Sequence, residues 1–178
     1  MAPSFRAAVP GDDEFAPYYQ KYIGAVPPGD IIATLGEQRS QLITLLSGLS
    51  ETQAMFAYAS GKWNVKEALG HIVDTERVFS YRALCFARND SKALPSMESD
   101  DFVRFGEHSS RRLADILTEF DHLRISTLDM LASFSADAWL RRGTAADNPV
   151  SVRALAWIIA GHERHHTEIL RSRYLKQS

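Results

Sequence analysis

One cysteine among 178 residues, Cys85, leaves nothing for an internal disulfide framework and suits a reducing compartment. Long apolar runs are missing too. No stretch approaches the roughly 20 apolar residues of a membrane span, and Met1–Pro10 lacks the sustained apolar core of a secretory signal. Charge of one sign is equally scarce: the formal net charge is −2, with acids and bases interspersed, which argues against a nucleic-acid surface. The chain has no Gly-rich phosphate loop, no nucleophile elbow and no CxxC pair, and no stretch alternates convincingly with period two. These absences lead to the expectation of one soluble, cytoplasmic, all-α domain over residues 1–178, with neither nucleic acid nor membrane as partner.

What remains is helical periodicity. Five of the seven prolines (Pro3, Pro10, Pro17, Pro27 and Pro28) fall before residue 29, beside Tyr18, Tyr19 and Tyr22. Prolines at that density forbid one long helix, and the aromatics predict an arm over residues 1–28 that packs on the domain, with a short helix around Phe15–Ile23. Asp30 can cap a first helix with the stripe Ile31/Ile32, Leu35, Leu42, Leu45/Leu46, Leu49. Asn64-Val65-Lys66-Glu67 has capping-box spacing and opens a second, reaching about Arg88. Asn89–Glu107 loses the period and reads as a long loop, the kind of segment that often walls a functional site. A third helix from Ser109 or Ser110 carries Leu113, Ile116/Leu117, Phe120, Leu123, Thr127/Leu128, Leu131 and Phe134. Ser151 caps a fourth that runs to roughly Leu175. The expected fold is an antiparallel four-helix bundle with an N-terminal arm and a long loop between helices 2 and 3. The short first connection predicts that the first two helices are antiparallel neighbours.

Three of the six histidines crowd into Gly161-His162-Glu163-Arg164-His165-His166. His162 and His166, four residues apart, project about 40° apart around one helix and fall on its apolar seam, where leucines are expected. Burying two neutral imidazoles there needs partners: a shared metal, or hydrogen bonds to acids. Such a pair alone is more often structural than ligating, so a third ligand from another helix is required, and His71 in the second helix is the candidate. His165 lies off the seam and is expected to be exposed, with a role as a base as the alternative. Asp74, three residues after His71, orients its ring or polarises metal-bound water, which makes it a catalytic candidate, or is a helix-surface acid. Glu163 reads as a surface acid or an inter-helix salt bridge, Trp63 as core packing, and Cys85 as a packed thiol. His108 and His122 read as solvated.

The segment Lys62-Trp63-Asn64-Val65-Lys66-Glu67-Ala68-Leu69-Gly70-His71-Ile72-Val73-Asp74-Thr75-Glu76, continued by Phe79-Ser80-Tyr81-Arg82-Ala83, resembles the second-helix signature of the DinB-like superfamily. Gly161–His166, ending in Ile169-Leu170 and Arg173-Tyr174-Leu175, resembles its fourth-helix signature, and the tyrosine-rich arm and Val26-Pro27-Pro28 extend the likeness over nearly the whole chain. The resemblance implies one divalent metal, nickel or zinc, held near one end of the bundle by His71, His162 and His166. It also implies a homodimer. Relatives include thiol-dependent S-transferases using bacillithiol, mycothiol or glutathione-like thiols, and many are labelled metal-dependent hydrolases. Glu76 departs from one transferase branch, in which a further histidine often stands there.

A divalent ion on three neutral imidazoles keeps its full charge, so it acidifies a bound water or a low-molecular-weight thiol and supports hydrolysis or thiol transfer alike. Two classes of function follow. One is a metal-dependent hydrolase or thiol S-transferase acting on a small electrophilic or ester-like substrate. The other is a non-catalytic, stress-associated bundle with a structural metal and a protein-interaction role. A site open beside a pocket walled by Asn89–Glu107 favours the first, and closure by a fourth protein ligand favours the second.

Overall fold

Each long helix begins where a side chain satisfies its free N–H groups. In the computed structural model, which describes residues 5–175, Asp30 accepts from Ile32 and opens α2 (Ile31–Leu46), following the one-turn α1 (Gln20–Ile23). After α3 (Glu51–Ala54), Asn64 and Glu67 form the predicted reciprocal cap at the start of α4 (Val65–Ala87). Then come α5 (Ser99–Gly106), α6 (Leu113–Ala132) and α7 (Ala136–Leu140). Ser151 accepts from Ala154 and caps α8 (Val152–Ile169), which continues as a wider turn through Leu170–Tyr174. No helix among the described residues is long and apolar enough to cross a membrane.

The four long helices α2, α4, α6 and α8 form the expected four-helix bundle, built from two antiparallel pairs. In α2 and α6, Leu35 meets Arg124 and Arg39 meets Asp121; Trp63, just before α4, meets Tyr174, just past α8, and His71 of α4 meets His162 of α8. The first two long helices are not the neighbours predicted. Each packs instead between α6 and α8, so α2 and α4 face each other across the bundle. The intervening Ser47–Asn64 segment, with α3 inside it, is long enough to cross one end. Two core clusters result, one of Ile31, Leu35, Phe79, Phe86 and the Val152–Ala160 face, the other of Leu42, Leu46, Leu69, Ile72, Phe120 and Leu170.

Two segments depart from the sequence reading. Within the expected loop after α4, Ser99–Gly106 is helical, so only its first part is irregular. Arg142–Ala145 and Asn148–Ser151 pair as a β-hairpin, β1 and β2, where no strand was expected. Its two-residue turn has Ala146 at φ 50° and Asp147 at φ 61°, the twist a tight hairpin requires, but supplied without the usual Asn-Gly signal. Leu94 of the preceding connection bonds to this hairpin at Thr144 and Ala146, so loop and hairpin form one wall beside the bundle.

The described part of the arm contacts the bundle through α1 and α8; the first four residues of the expected arm lie outside the described ones. Glu14 is its anchor, accepting from Ser151 Oγ and pairing with Arg153 at the start of α8. Further along, Gly161 lets the backbone at Tyr22 touch α8, because any Cβ at that position would run into the Tyr22 carbonyl. This close approach sets the tyrosine cluster over the histidine-bearing turn.

Candidate metal centre and its cavity

His71 on α4 and His162 and His166 on α8 converge. One ring nitrogen from each lies within 4.8 Å of the others. The Nε2 atoms of His71 and His162 are 2.9 Å apart, close to the roughly 3 Å expected of two nitrogens about 2.1 Å from one ion at near-right angles. The i, i+4 spacing supplies two donors from one helix face, and the antiparallel α4 brings the third from opposite. Among the described residues no other His, Cys, Asp or Glu joins this group.

All three rings are kept neutral. Burial pushes the pKa of His71 down to about 4, with the Asp74 carboxylate opposing, and that of His166 down to about 3; His162 falls well below the ordinary range, for burial first and then its sister imidazoles. Neutral imidazoles offer free lone pairs at ordinary pH, so this donor set fits a divalent transition ion. A pH dependence of the metal-free protein follows. The unfolded chain protonates His71 near pH 6.5 and the native state only near 4, so between these values the unfolded state binds more protons. The stability contributed by His71 is complete above about pH 6.5 and is lost as the pH falls towards 4, by roughly 3 kcal/mol in all. Urea titrations in chelator at pH 7.5, 5.5 and 4 should show this loss in wild type and a smaller one in His71→Phe. Equal losses in both proteins would refute the assignment to this ring.

Asp74 does not orient His71. Its Oδ2 lies 3.2 Å from Nε2 of His108, and His71 Nδ1 has no hydrogen-bond partner. His108, expected in solvent, is 5% exposed because Gly70 and Gly106 leave room for its ring against α4. His165 and His122 are exposed, as expected. Cys85 is half-buried and forms no disulfide. Trp63 is more than packing: half-buried, it stacks 26° from the plane of His166 and lies 4.7 Å from the His71 ring, while its carbonyl accepts from Tyr174 Oη.

Glu163 turns inward to an inter-helix ion cluster. Arg124, fully buried on α6, donates to both Glu76 and Glu163 and to the Leu35 carbonyl. Burial raises the Glu163 pKa and the Arg124 guanidinium opposes it. Glu76 is therefore a core anion of the bundle. An apolar stripe interrupted by arginine, Phe120-x3-Arg124-x2-Thr127, was the available signal.

The histidines open on a cavity of about 390 Å³. Tyr18, Tyr19 and Tyr22 of the arm line it together with Trp63 and Phe79, and Tyr19 lies edge-on to Phe79. Ser96, Met97 and Ser99 close it from the connection predicted to wall a site, and Ala146 from the hairpin turn. Tyr22 lies edge-on to His162 and to His165, each ring centre 5.5 Å away. Arg82 also lines the cavity, donating to the Pro95 carbonyl and resting over the Phe79 ring. The sequence reading passed over Arg82, although it lies three residues after Phe79 on the buried face of α4.

Fold and site together define a four-helix bundle centred on a histidine triad at the base of an aromatic cavity. The family model of the DinB superfamily matches residues 34–170, and the chain belongs to that superfamily. YfiT from Bacillus subtilis, described as a probable metal-dependent hydrolase with an unusual four-helix bundle topology, superposes with a TM-score of 0.69 at 15% identity over 91% of each chain. A mycothiol-dependent maleylpyruvate isomerase superposes with a TM-score of 0.64 at 12% identity, over 82% of this chain and 61% of that one. At such identities the likeness is one of fold. No curated protein matches the sequence.

Proposed function

We propose that this protein is a metal-dependent enzyme, a hydrolase or thiol S-transferase acting on a small electrophilic or ester-like substrate. His71, His162 and His166 would hold one nickel or zinc ion. The observation that carries this reading is the opening of the triad on a cavity large enough for a small molecule, with no fourth acidic, Cys or His side chain among the described residues to close it. A structural metal in an interaction module would call for the closed arrangement. The chemistry a divalent ion supplies when bound is Lewis-acid activation, together with the lowering of a thiol's or water's pKa.

The remaining residues shape and dry the site. Tyr22 and Trp63 hold the imidazoles in place edge-on and by stacking. The aromatic walls exclude water, and His165, exposed at the rim, is the side chain placed to exchange protons with solvent. Asp74 faces His108 and takes no part in the site. The protein is further proposed to be a cytoplasmic homodimer of one domain, using a low-molecular-weight thiol in the transferase case. The test is elemental analysis of protein purified without added metal, followed by two assays. About one equivalent of nickel or zinc is expected. Turnover of 1-chloro-2,4-dinitrobenzene with bacillithiol, mycothiol or glutathione identifies a transferase, and turnover of p-nitrophenyl acetate without thiol identifies a hydrolase. No bound metal, or metal without either turnover, removes the enzymatic reading.

A further inference from the structure

The two buried arginines of the bundle are treated very differently. Arg124 sits between two carboxylates. Arg82 is 4% exposed, yet among the described residues no carboxylate lies within ion-pair distance of it; the guanidinium donates to the Pro95 carbonyl at 2.6 Å, hydrogen-bonds the Tyr19 side chain and rests over Phe79, whose centroid is 5.1 Å from the guanidinium carbon, and none of the three is an anion. A buried cation without a counter-anion is costly even when neutral groups accept its hydrogen bonds. The cavity it lines offers no relief, since no Asp or Glu appears on its walls. Thr75 lines the same cavity, and its buried Oγ1 also lacks a partner.

These groups are arranged in order. His71, Thr75, Phe79 and Arg82 follow one stripe of α4, spanning eleven residues or about 16 Å of axis. The Arg82 side chain folds back over Phe79 and so shortens that distance. One end of the cavity thus holds the three imidazoles, the other a guanidinium, with aromatic rings between them.

We infer that Arg82 is the substrate-binding residue for a carboxylate, and that the substrate class is a small, largely apolar or aromatic electrophile carrying that carboxylate at the end remote from the reacting carbon. The inference rests on reading this cavity as the substrate site. Arginine's planar fork of donors matches a carboxylate edge, and desolvation strengthens the pairing. Binding the anion would satisfy the guanidinium and align the electrophilic end with the histidines.

Benzoate and benzamide are the probes, because they share shape and differ in charge. Their affinities are measured by calorimetry or saturation-transfer NMR on metal-free protein in chelator, so that carboxylate binding to a metal does not contribute. Wild type should prefer benzoate at least tenfold. Arg82→Gln should lose that preference while binding benzamide unchanged, and Arg82→Lys should restore part of it. In the wild-type protein, the Arg82 Nε–Hε resonance should shift with benzoate and stay with benzamide, a readout that does not depend on a variant folding. No preference in wild type, a preference that survives Arg82→Gln, or an unmoved resonance would each overturn the inference. Metal content measured separately on wild type and Arg82→Gln tests the enzymatic reading: absence of metal defeats that reading while leaving the benzoate comparison decisive for Arg82.

Discussion

Replacing Arg124 with alanine should destabilise the protein by about 3–5 kcal/mol, a large part of the stability of an ordinary domain. The reason is what the truncation leaves behind. Glu76 and Glu163 are each 2% exposed and both hydrogen-bond this one guanidinium, as does the Leu35 carbonyl. Without it, two carboxylates and a carbonyl lose their donor away from water, and the site cannot refill because alanine is far smaller. Three helices meet there: α4 through Glu76, α8 through Glu163 and α6 through Arg124, with α2 joined by its backbone. Guanidinium chloride denaturation compares wild type, Arg124→Ala and the triple variant Glu76→Leu/Arg124→Met/Glu163→Leu. The triple variant should recover most of the loss, since a well-packed apolar set avoids the desolvation altogether. A single-variant loss below about 1 kcal/mol would mean that water reaches the cluster and that it is not the buried junction described.

His162→Leu should abolish metal retention and yet leave the metal-free protein at least as stable as wild type. A set of three ligands binding at roughly 12 kcal/mol contributes about 4 kcal/mol each, so losing one lowers affinity by about three orders of magnitude. Elemental analysis after dialysis reads that loss directly. The stability half of the result comes from burial. His162 is 7% exposed on a seam it shares with Leu155, Ile158, Ile159 and His166, and its pKa is pressed well down because its surroundings disfavour charge. Leucine fits such a seam without a ring nitrogen to desolvate. A residue that improves stability when removed, but removes metal with it, is one kept for its chemistry. Undiminished metal in His162→Leu would remove His162 from the ligand set. A marked loss of stability in chelator would instead make the ring a packing element.

The helices were legible because their signals are local. Caps at Asp30, Asn64 and Ser151 and apolar residues every three or four positions are properties of contiguous chain, and the structure places each long helix about where they indicate. The histidine triad was legible in part for the same reason: His162 and His166 stand on an apolar seam, which marks them as anomalous. The hairpin was not, because its turn uses Ala146-Asp147 in place of glycine. His108 was misjudged because its burial depends on Gly70, thirty-eight residues earlier, and on the turn at Gly106.

By itself the sequence determined where the four long helices lie, which faces of them are apolar, and that two imidazoles of one helix occupy core positions. Tertiary structure alone decided that α2 and α4 lie across from each other, that Asp74 serves His108, and that Glu163 joins Glu76 around Arg124. It alone made Arg82 a buried cation with no carboxylate partner, lining the same cavity as His71. The division has one physical cause. Periodicity and capping act within a few residues, whereas the partner of a buried charge is chosen by whichever distant side chain the packing brings within about 3 Å of it.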